Sequence, residues 1–309
     1  SLALLILAAR FFTSAAERIG LALGMSPFVV GVFIVAIGTS LPELVASLLA
    51  VKAGTSEIVS GNVLGANASN LLLLLGVVSV VSRGRIALGE HYLFIDLNFM
   101  LGAMLLLAAS MVDGHVGTLE GLLLLSAYVI YTVYLVREGR TDSADAAQAD
   151  ALPTASRRMA LDVAILAIAG VAIYFGGEMT VDALRDIAAG LAIPPAIAAI
   201  TILSIGTTLP ELAVSVTAAL KGQGALAVGN ILGSTIFNAL AVARAAAVAG
   251  GVLVPHSLLS FALPFVSTAS VLFYLLTQDK LVSKWEGLLF LVLFALFIVE
   301  IVDAAGTVN

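Results

Sequence analysis

The sequence predicts an all-α polytopic membrane protein of ten transmembrane helices, arranged as two inverted-topology repeats of five helices each. Three observations carry this reading: a composition too apolar for water, ten apolar segments of spanning length, and one motif that occurs twice. Apolar residues make up 61% of the 309 positions and charged residues 11%. So few polar side chains cannot cover a water-soluble domain of this size, so the bilayer is the expected surrounding and no nucleic-acid partner is indicated. The formal net charge is −6, but in a membrane chain the placement of charge says more than its sum. The absence of cysteine excludes disulfides and thiolate metal sites.

A spanning helix needs roughly 20 apolar residues, and ten segments qualify, at about 2–22, 27–51, 57–81, 91–111, 117–136, 159–180, 194–219, 225–249, 255–277 and 284–303. The chain opens in an apolar stretch, Leu2 to Leu7, with neither a basic n-region nor a small-residue cleavage site, so a cleaved signal peptide is not expected. One long polar stretch, Arg137 to Arg158, contains TDSADAAQAD and reads as a solvated linker. It divides the chain into a first repeat over 1–136, a linker over 137–158 and a second repeat over 159–309.

Residues 37–70 read IGTSLPELVASLLAVKAGTSEIVSGNVLGANASN, and residues 205–238 read IGTTLPELAVSVTAALKGQGALAVGNILGSTIFN. At a constant offset of 168, without a gap, 15 of these 34 positions are identical. The shared residues include Gly38, Thr39, Pro42, Glu43, Gly61, Asn62, Gly65 and Asn70, which lipid-facing helices have no generic reason to repeat. Five helices per half is an odd number, so equivalent helices cross the membrane in opposite directions. A binding site is then expected near the midplane, where the repeats meet. With the termini outside, inner loops hold Arg18, Arg83, Arg85, Arg137, Arg140, Arg157, Arg158, Lys221, Lys280 and Lys284, whereas outer loops hold only Lys52 and Arg185. This bias predicts a multi-pass cell-membrane protein with external termini and a cytoplasmic linker.

The chemistry centres on Glu43 and Glu211, which occupy equivalent repeat positions. A carboxylate near the bilayer centre costs a few kcal/mol and usually serves function; a purely structural glutamate is the weaker reading of a duplicated one. Pro42 and Pro210 precede them, and each removes an N–H and displaces the carbonyl four residues back. Carbonyls around Gly38–Thr39 and Gly206–Thr207 then need other partners, and a cation is one. Thr39, Ser40, Thr207 and Thr208 add hydroxyl oxygens on the same turns. A hard cation wants several oxygens, roughly six to eight for Ca²⁺. Asn70 and Asn238 close the two motifs with amide oxygens that coordinate without adding charge. Gly61, Gly65, Gly229 and Gly233 are spaced four apart, which reads first as close helix packing.

A site charge of about −2 matches one Ca²⁺ or two or more monovalent cations or protons. Two close ionised carboxylates are costly in low dielectric when empty. The empty carrier is therefore expected to reorient poorly, which is obligatory antiport in physical terms.

With GTSLPEL…GNVLGAN…N and GTTLPEL…GNILGS…N in view, the chain resembles the calcium/cation antiporter superfamily and, in pattern, its prokaryotic sodium/calcium exchangers. The resemblance spans both repeats and the linker. It implies a Ca²⁺ site formed by Glu43 and Glu211 with the carbonyls of Thr39 and Thr207. It further implies flanking sodium sites using the same glutamates, Ser234, and the carbonyls of Ala36 and Ser204. The first and sixth helices would slide across a core formed by the rest. No enzyme activity or cofactor is implied; Ca²⁺ and Na⁺, with H⁺ as an alternative, are the transported ions, and no oligomer is required.

Four departures stand out. The family's Gly-Ser step is intact at Gly233–Ser234 but is Gly65–Ala66 in the first repeat, which by resemblance weakens a sodium site on the inner side. Position 238 is Asn where some members carry Asp. Arg10 stands where an acid is usual in the first helix, while Glu178 keeps one in the sixth. Arg244 lies six residues past Asn238, where a small residue is usual, and its simplest fates are snorkelling to the outer interface or pairing with an acid. His91, His115 and His256 fall at helix ends and read as interfacial. Trp285 reads as an interface anchor, and Asp113 and Asp279 as solvated.

Three functional readings follow. Na⁺/Ca²⁺ antiport leads. H⁺/Ca²⁺ exchange, or exchange of another cation, is the alternative within transport, and Ala66 points mildly toward it. A glutamate-lined channel ranks lower, because inverted repeats with broken helices suit alternating access.

Overall fold

The computed structural model describes residues 2–82, 84–88, 96–138, 155–190, 206 and 208–306. Ten helices are found among these residues. They are α1 (Leu2–Ala22), α2 (Pro27–Lys52), α3 (Glu57–Val81), α4 (Leu97–Met111), α5 (Thr118–Glu138), α6 (Ala155–Gly190), α7 (Leu209–Leu220), α8 (Gly224–Gly250), α9 (Leu258–Thr277) and α10 (Lys284–Gly306). The first half of the seventh expected span, together with Ser204 and Thr207, lies outside the described residues, as do His91 and most of the linker.

Most expected boundaries hold to within a few residues. The sixth differs, because α6 starts at Ala155 and runs to Gly190. The last residues assigned to the linker, Ala155–Arg158, are therefore helical. Ala, Met and Arg in ASRRMALD are good helix formers, so the helix extends beyond the apolar stretch that marked the span.

Four two-residue strands link the ends of the helices: β1 (Ile86–Ala87), β2 (His115–Val116), β3 (Val252–Leu253) and β4 (Leu281–Val282). β1 pairs antiparallel with β4, and β2 with β3. β3 follows β1, and β4 follows β2, by the same 166 residues. A two-fold operation that exchanges the halves therefore carries one strand pair onto the other, as inverted repeats require. The same offset relates two helix starts: Glu120 accepts from the Gly117 N–H at 3.0 Å, and Glu286 from the Ser283 N–H at 2.6 Å. Each bond satisfies a donor that a helix start leaves open.

α8 is almost wholly enclosed, while α5, α6 and α10 keep most of their apolar length exposed. Leu122, Leu123, Ile130, Ile168, Val292 and Val299 are among those outward side chains. In water such a surface would be untenable; against lipid tails it is ordinary. Trp285 is 80% exposed at the start of α10, consistent with an interfacial anchor.

Glycine sets the tightest crossing. A Cβ on Gly229 would lie 2.3 Å from the Phe28 carbonyl oxygen, one on Gly233 2.3 Å from that of Val32, and one on Gly31 2.2 Å from that of Leu226. α2 and α8 thus touch backbone to backbone, which the Gly-xxx-Gly spacing anticipated.

Candidate functional site

That crossing brings α2 of one repeat against α8 of the other, and the two motifs meet beside it. Thr39, Ser40 and Glu43 on α2, Asn70 on α3, Thr208 and Glu211 at the start of α7, and Ser234 and Asn238 on α8 are all buried. Glu43 is 3% exposed and Glu211 1%, and each lies within electrostatic reach of the other.

The two prolines act differently, which corrects the symmetric expectation. Pro210 sits in the first turn of α7, where a missing N–H costs little. Thr208 precedes that helix with φ −97° and ψ 5°, outside the helical range. Pro42 lies inside α2, and the helix passes through it. The Gly38 carbonyl still lacks the N–H that a non-proline residue at position 42 would supply.

π-helical turns occupy Gly31–Val35 in α2, Ser69–Leu74 in α3 and Asn238–Val242 in α8. Asn70 and Asn238 fall within equivalent π turns of the two repeats. Such turns insert a residue, re-aim side chains and recur at functional sites.

Hydrogen bonds tie the repeats together. Ser40 Oγ donates to Glu211 Oε1 at 2.9 Å and lies 3.1 Å from Ser234 Oγ. A hydroxyl has one proton, so with that bond made Ser40 accepts from Ser234. Thr39 Oγ1 lies 3.3 Å from both the Ala36 carbonyl oxygen and Asn230 Oδ1, and Asn230 Nδ2 donates to Ser215 Oγ at 2.8 Å. Asn230 and Ser215 therefore support the candidate site, and both belong to the duplicated pattern, as the mates of Asn62 and Ser47.

Against this network stands a set of buried oxygens with no hydrogen-bond partner: both of Glu43, Oε2 of Glu211, and the amide oxygens of Asn70 and Asn238. Buried polar atoms are nearly always satisfied, so such a concentration calls for an explanation. The Asn70 amide nitrogen, a donor, is unpartnered as well, but acceptors predominate, and the groups that satisfy several acceptors at once are cations. Among the described residues no group of three or more His, Cys, Asp or Glu could hold a metal. Neutral oxygens would have to complete the pair of carboxylates.

Two buried charged residues were not anticipated in their observed setting. Arg244 is 0% exposed, with none of its three guanidinium nitrogens hydrogen-bonded. Neither snorkelling nor ion pairing describes it among the described residues. Its repeat mate is Gly76, where a Cβ would lie 2.6 Å from Leu291. Asp96 is equally buried and accepts a 2.6 Å hydrogen bond from the Tyr131 hydroxyl. An acid inside the 91–111 segment is the sequence signal for it, although it has no mate in the second repeat. Glu178 remains exposed and accepts from the Tyr174 hydroxyl at 2.8 Å, while Arg10 is exposed on α1.

A ten-helix inverted-repeat architecture defines a polytopic membrane protein of the secondary-transporter class. The sequence matches the family described as sodium/calcium exchanger protein over residues 1–137 and 161–302. It is 33% identical over 249 residues to a putative antiporter, CaxA, of Alkalimonas amylolytica, covering 78% of this chain and 76% of that protein. It is 27% identical to the sodium/calcium exchanger MaX1 of Methanosarcina acetivorans, covering 96% and 95% of the two chains. A solved structure of the sodium-calcium exchanger NCX_Mj, soaked with Na⁺ and Ca²⁺, superposes with a TM-score of 0.82 at 28% identity, covering 96% of this chain and 95% of that one. The chain belongs to the sodium/calcium exchanger family; it is a cation/Ca²⁺ antiporter and not an enzyme.

Proposed function

We propose that the protein exchanges Ca²⁺ for Na⁺ across the membrane by alternating access, with Glu43 and Glu211 as the shared carboxylates. The cluster of unpartnered buried oxygens on Glu43, Glu211, Asn70 and Asn238 carries this reading. Thr39 and Thr207 supply carbonyls to Ca²⁺, and Asn70 and Asn238 complete and orient the site. Ser234, with the carbonyls of Ala36 and Ser204, serves flanking sodium ions. Ser40 and Thr208 place hydroxyls beside the carboxylates; the Ser40 bond to Glu211 supports that role. When Ca²⁺ leaves, the two carboxylates repel in a low dielectric, so an incoming cation must neutralise them before the carrier turns over. Names of relatives that include sodium support the choice of counter-ion. The repeats 1–136 and 159–309, joined by a cytoplasmic linker with external termini, place equivalent elements on opposite sides of the membrane.

H⁺/Ca²⁺ exchange is the second reading, and Ala66 favours it. In the second repeat Ser234 lies beside Ser40, which holds Glu211. The corresponding position in the first repeat, Ala66, offers only a methyl group.

Ca²⁺ uptake into proteoliposomes separates the two, driven in parallel by an outward Na⁺ gradient at fixed pH and by an outward H⁺ gradient without Na⁺. Uptake with Na⁺ alone is the expected result. Uptake with H⁺ alone would replace sodium by protons as the counter-ion. An Ala66→Ser variant is expected to strengthen sodium dependence, and an unchanged dependence would remove Ala66 from the argument.

A further inference from the structure

α1 and α7 do not close completely against α3. Between them runs a groove of about 540 Å³, within the roughly 300–1,000 Å³ range of small-molecule sites. Leu5, Val77, Leu209, Leu212 and Val216 are among its apolar wall residues, and two cations, Arg10 and Lys221, also line it. Among the described residues, no acidic one lines it. Ile6 and Leu220 on its rim are exposed, so it opens sideways, where lipid would lie.

Lys221 is anchored to α1. Lys221 Nζ donates to the Arg10 carbonyl oxygen at 3.1 Å and to Ser14 Oγ at 2.8 Å, which ties the end of α7 to α1 and fixes the ammonium beside the groove. Burial pulls the Lys221 pKa below its ordinary value; Glu17 opposes this, and Arg10 and Arg18 add to it. The nearby acid Asp162 is already taken, bonded to Arg18 at 2.7 Å. Among the described residues, no carboxylate pairs with either Arg10 or Lys221.

We propose that this groove binds an anionic phospholipid, with an acyl chain along the α1–α7 wall and the phosphate held by Arg10 and Lys221. A neutral tail would suit the wall alone, but two converging cations select an anionic head, as basic pockets between transmembrane helices do. This also accounts for an arginine at position 10 of an apolar helix. α7 carries Glu211 as well, next to the groove residue Leu212, so a bound lipid braces the helix that holds the candidate ion ligand. The proposal does not depend on which counter-ion is exchanged.

The test uses the full chain, purified in a non-ionic detergent. It is titrated with dioleoylphosphatidylglycerol, dioleoylphosphatidylcholine or glycerol 1-phosphate, with retained lipid counted by native mass spectrometry and Tm followed in parallel. Phosphatidylglycerol should be retained and should raise Tm, with the other two ineffective at the same concentration. Arg10→Gln with Lys221→Gln should weaken its binding by about fivefold per charge removed, while Lys284→Gln leaves it unchanged. Should the double variant fail to fold, Val216→Phe fills the groove with both cations intact and should also lose the lipid. Equal retention of phosphatidylcholine would show a groove without head-group selection. An equal shift with glycerol 1-phosphate would show a soluble-anion site. Either result, or undiminished phosphatidylglycerol binding in the variants, overturns the proposal.

Discussion

Ser40 of the first repeat donates a 2.9 Å hydrogen bond to Glu211 of the second, whereas both carboxylate oxygens of Glu43 are without a partner. Two glutamates at equivalent sequence positions therefore sit in unequal surroundings. The inequality continues in their neighbours, because Ser234 beside Ser40 corresponds to Ala66 in the other repeat.

Ser40→Ala removes the donor to Glu211 and leaves a buried carboxylate oxygen unsatisfied. Hydrogen bonds to charged groups contribute about 1.5–3 kcal/mol, so the KM for Ca²⁺ should change by roughly tenfold or more. Initial rates of proteoliposome uptake over a Ca²⁺ series check this. An unchanged KM would make the bond structural only.

Glu43→Gln and Glu211→Gln should each abolish Ca²⁺ transport while the protein still folds. Ca²⁺ near 100 times its Kd should stabilise the unmutated protein by about 2.7 kcal/mol and neither variant. In chelator, Glu43→Gln should raise Tm more than Glu211→Gln, since it removes charge from the glutamate with no donor. Thermal unfolding with and without Ca²⁺ reads both effects, and normal transport by either variant would refute the two-glutamate site.

Gly233→Ala should be poorly tolerated, because its Cβ would fall 2.3 Å from a backbone oxygen of α2. Overpacking of this kind typically costs about 1–3 kcal/mol. Gly61→Ala is the control, since the nearest atom its Cβ would meet is 3.8 Å away; it should be neutral or raise stability by up to about 1 kcal/mol. Comparing the two Tm values tests the backbone crossing directly.

Arg244→Met replaces a buried guanidinium that has no hydrogen-bond partner by an apolar side chain of similar length. Leaving such a group unsatisfied costs about 1–3 kcal/mol or more, so Tm should rise. A fall in Tm would mean that Arg244 is paired in the folded protein in solution.

The membrane character, the ten spans and the duplicated motif were legible because each has a signature in the chain itself: composition, apolar length and identity at constant offset. Glu43, Glu211, Asn70 and Asn238 could be named for the same reason, as polar residues repeated in apolar helices. Asp96 was passed over because it has no mate in the second repeat, and the Ser40–Glu211 bond because its partners are 171 residues apart. The 36-residue length of α6 was underestimated because helix propensity continues where apolarity stops.

By itself, the sequence determined that this chain must live in lipid and that its two halves run in opposite directions, and it named the candidate oxygens for a cation. These are matters of composition, parity and side-chain chemistry. Tertiary structure alone decided that Pro210 begins a helix while Pro42 lies within one, that Glu211 is held and Glu43 is not, and that Arg244 is enclosed. The reason is physical: nearly identical motifs meet different neighbours. A hydrogen bond or a buried charge depends on what lies across the helix interface, not on the residues before and after it in the chain.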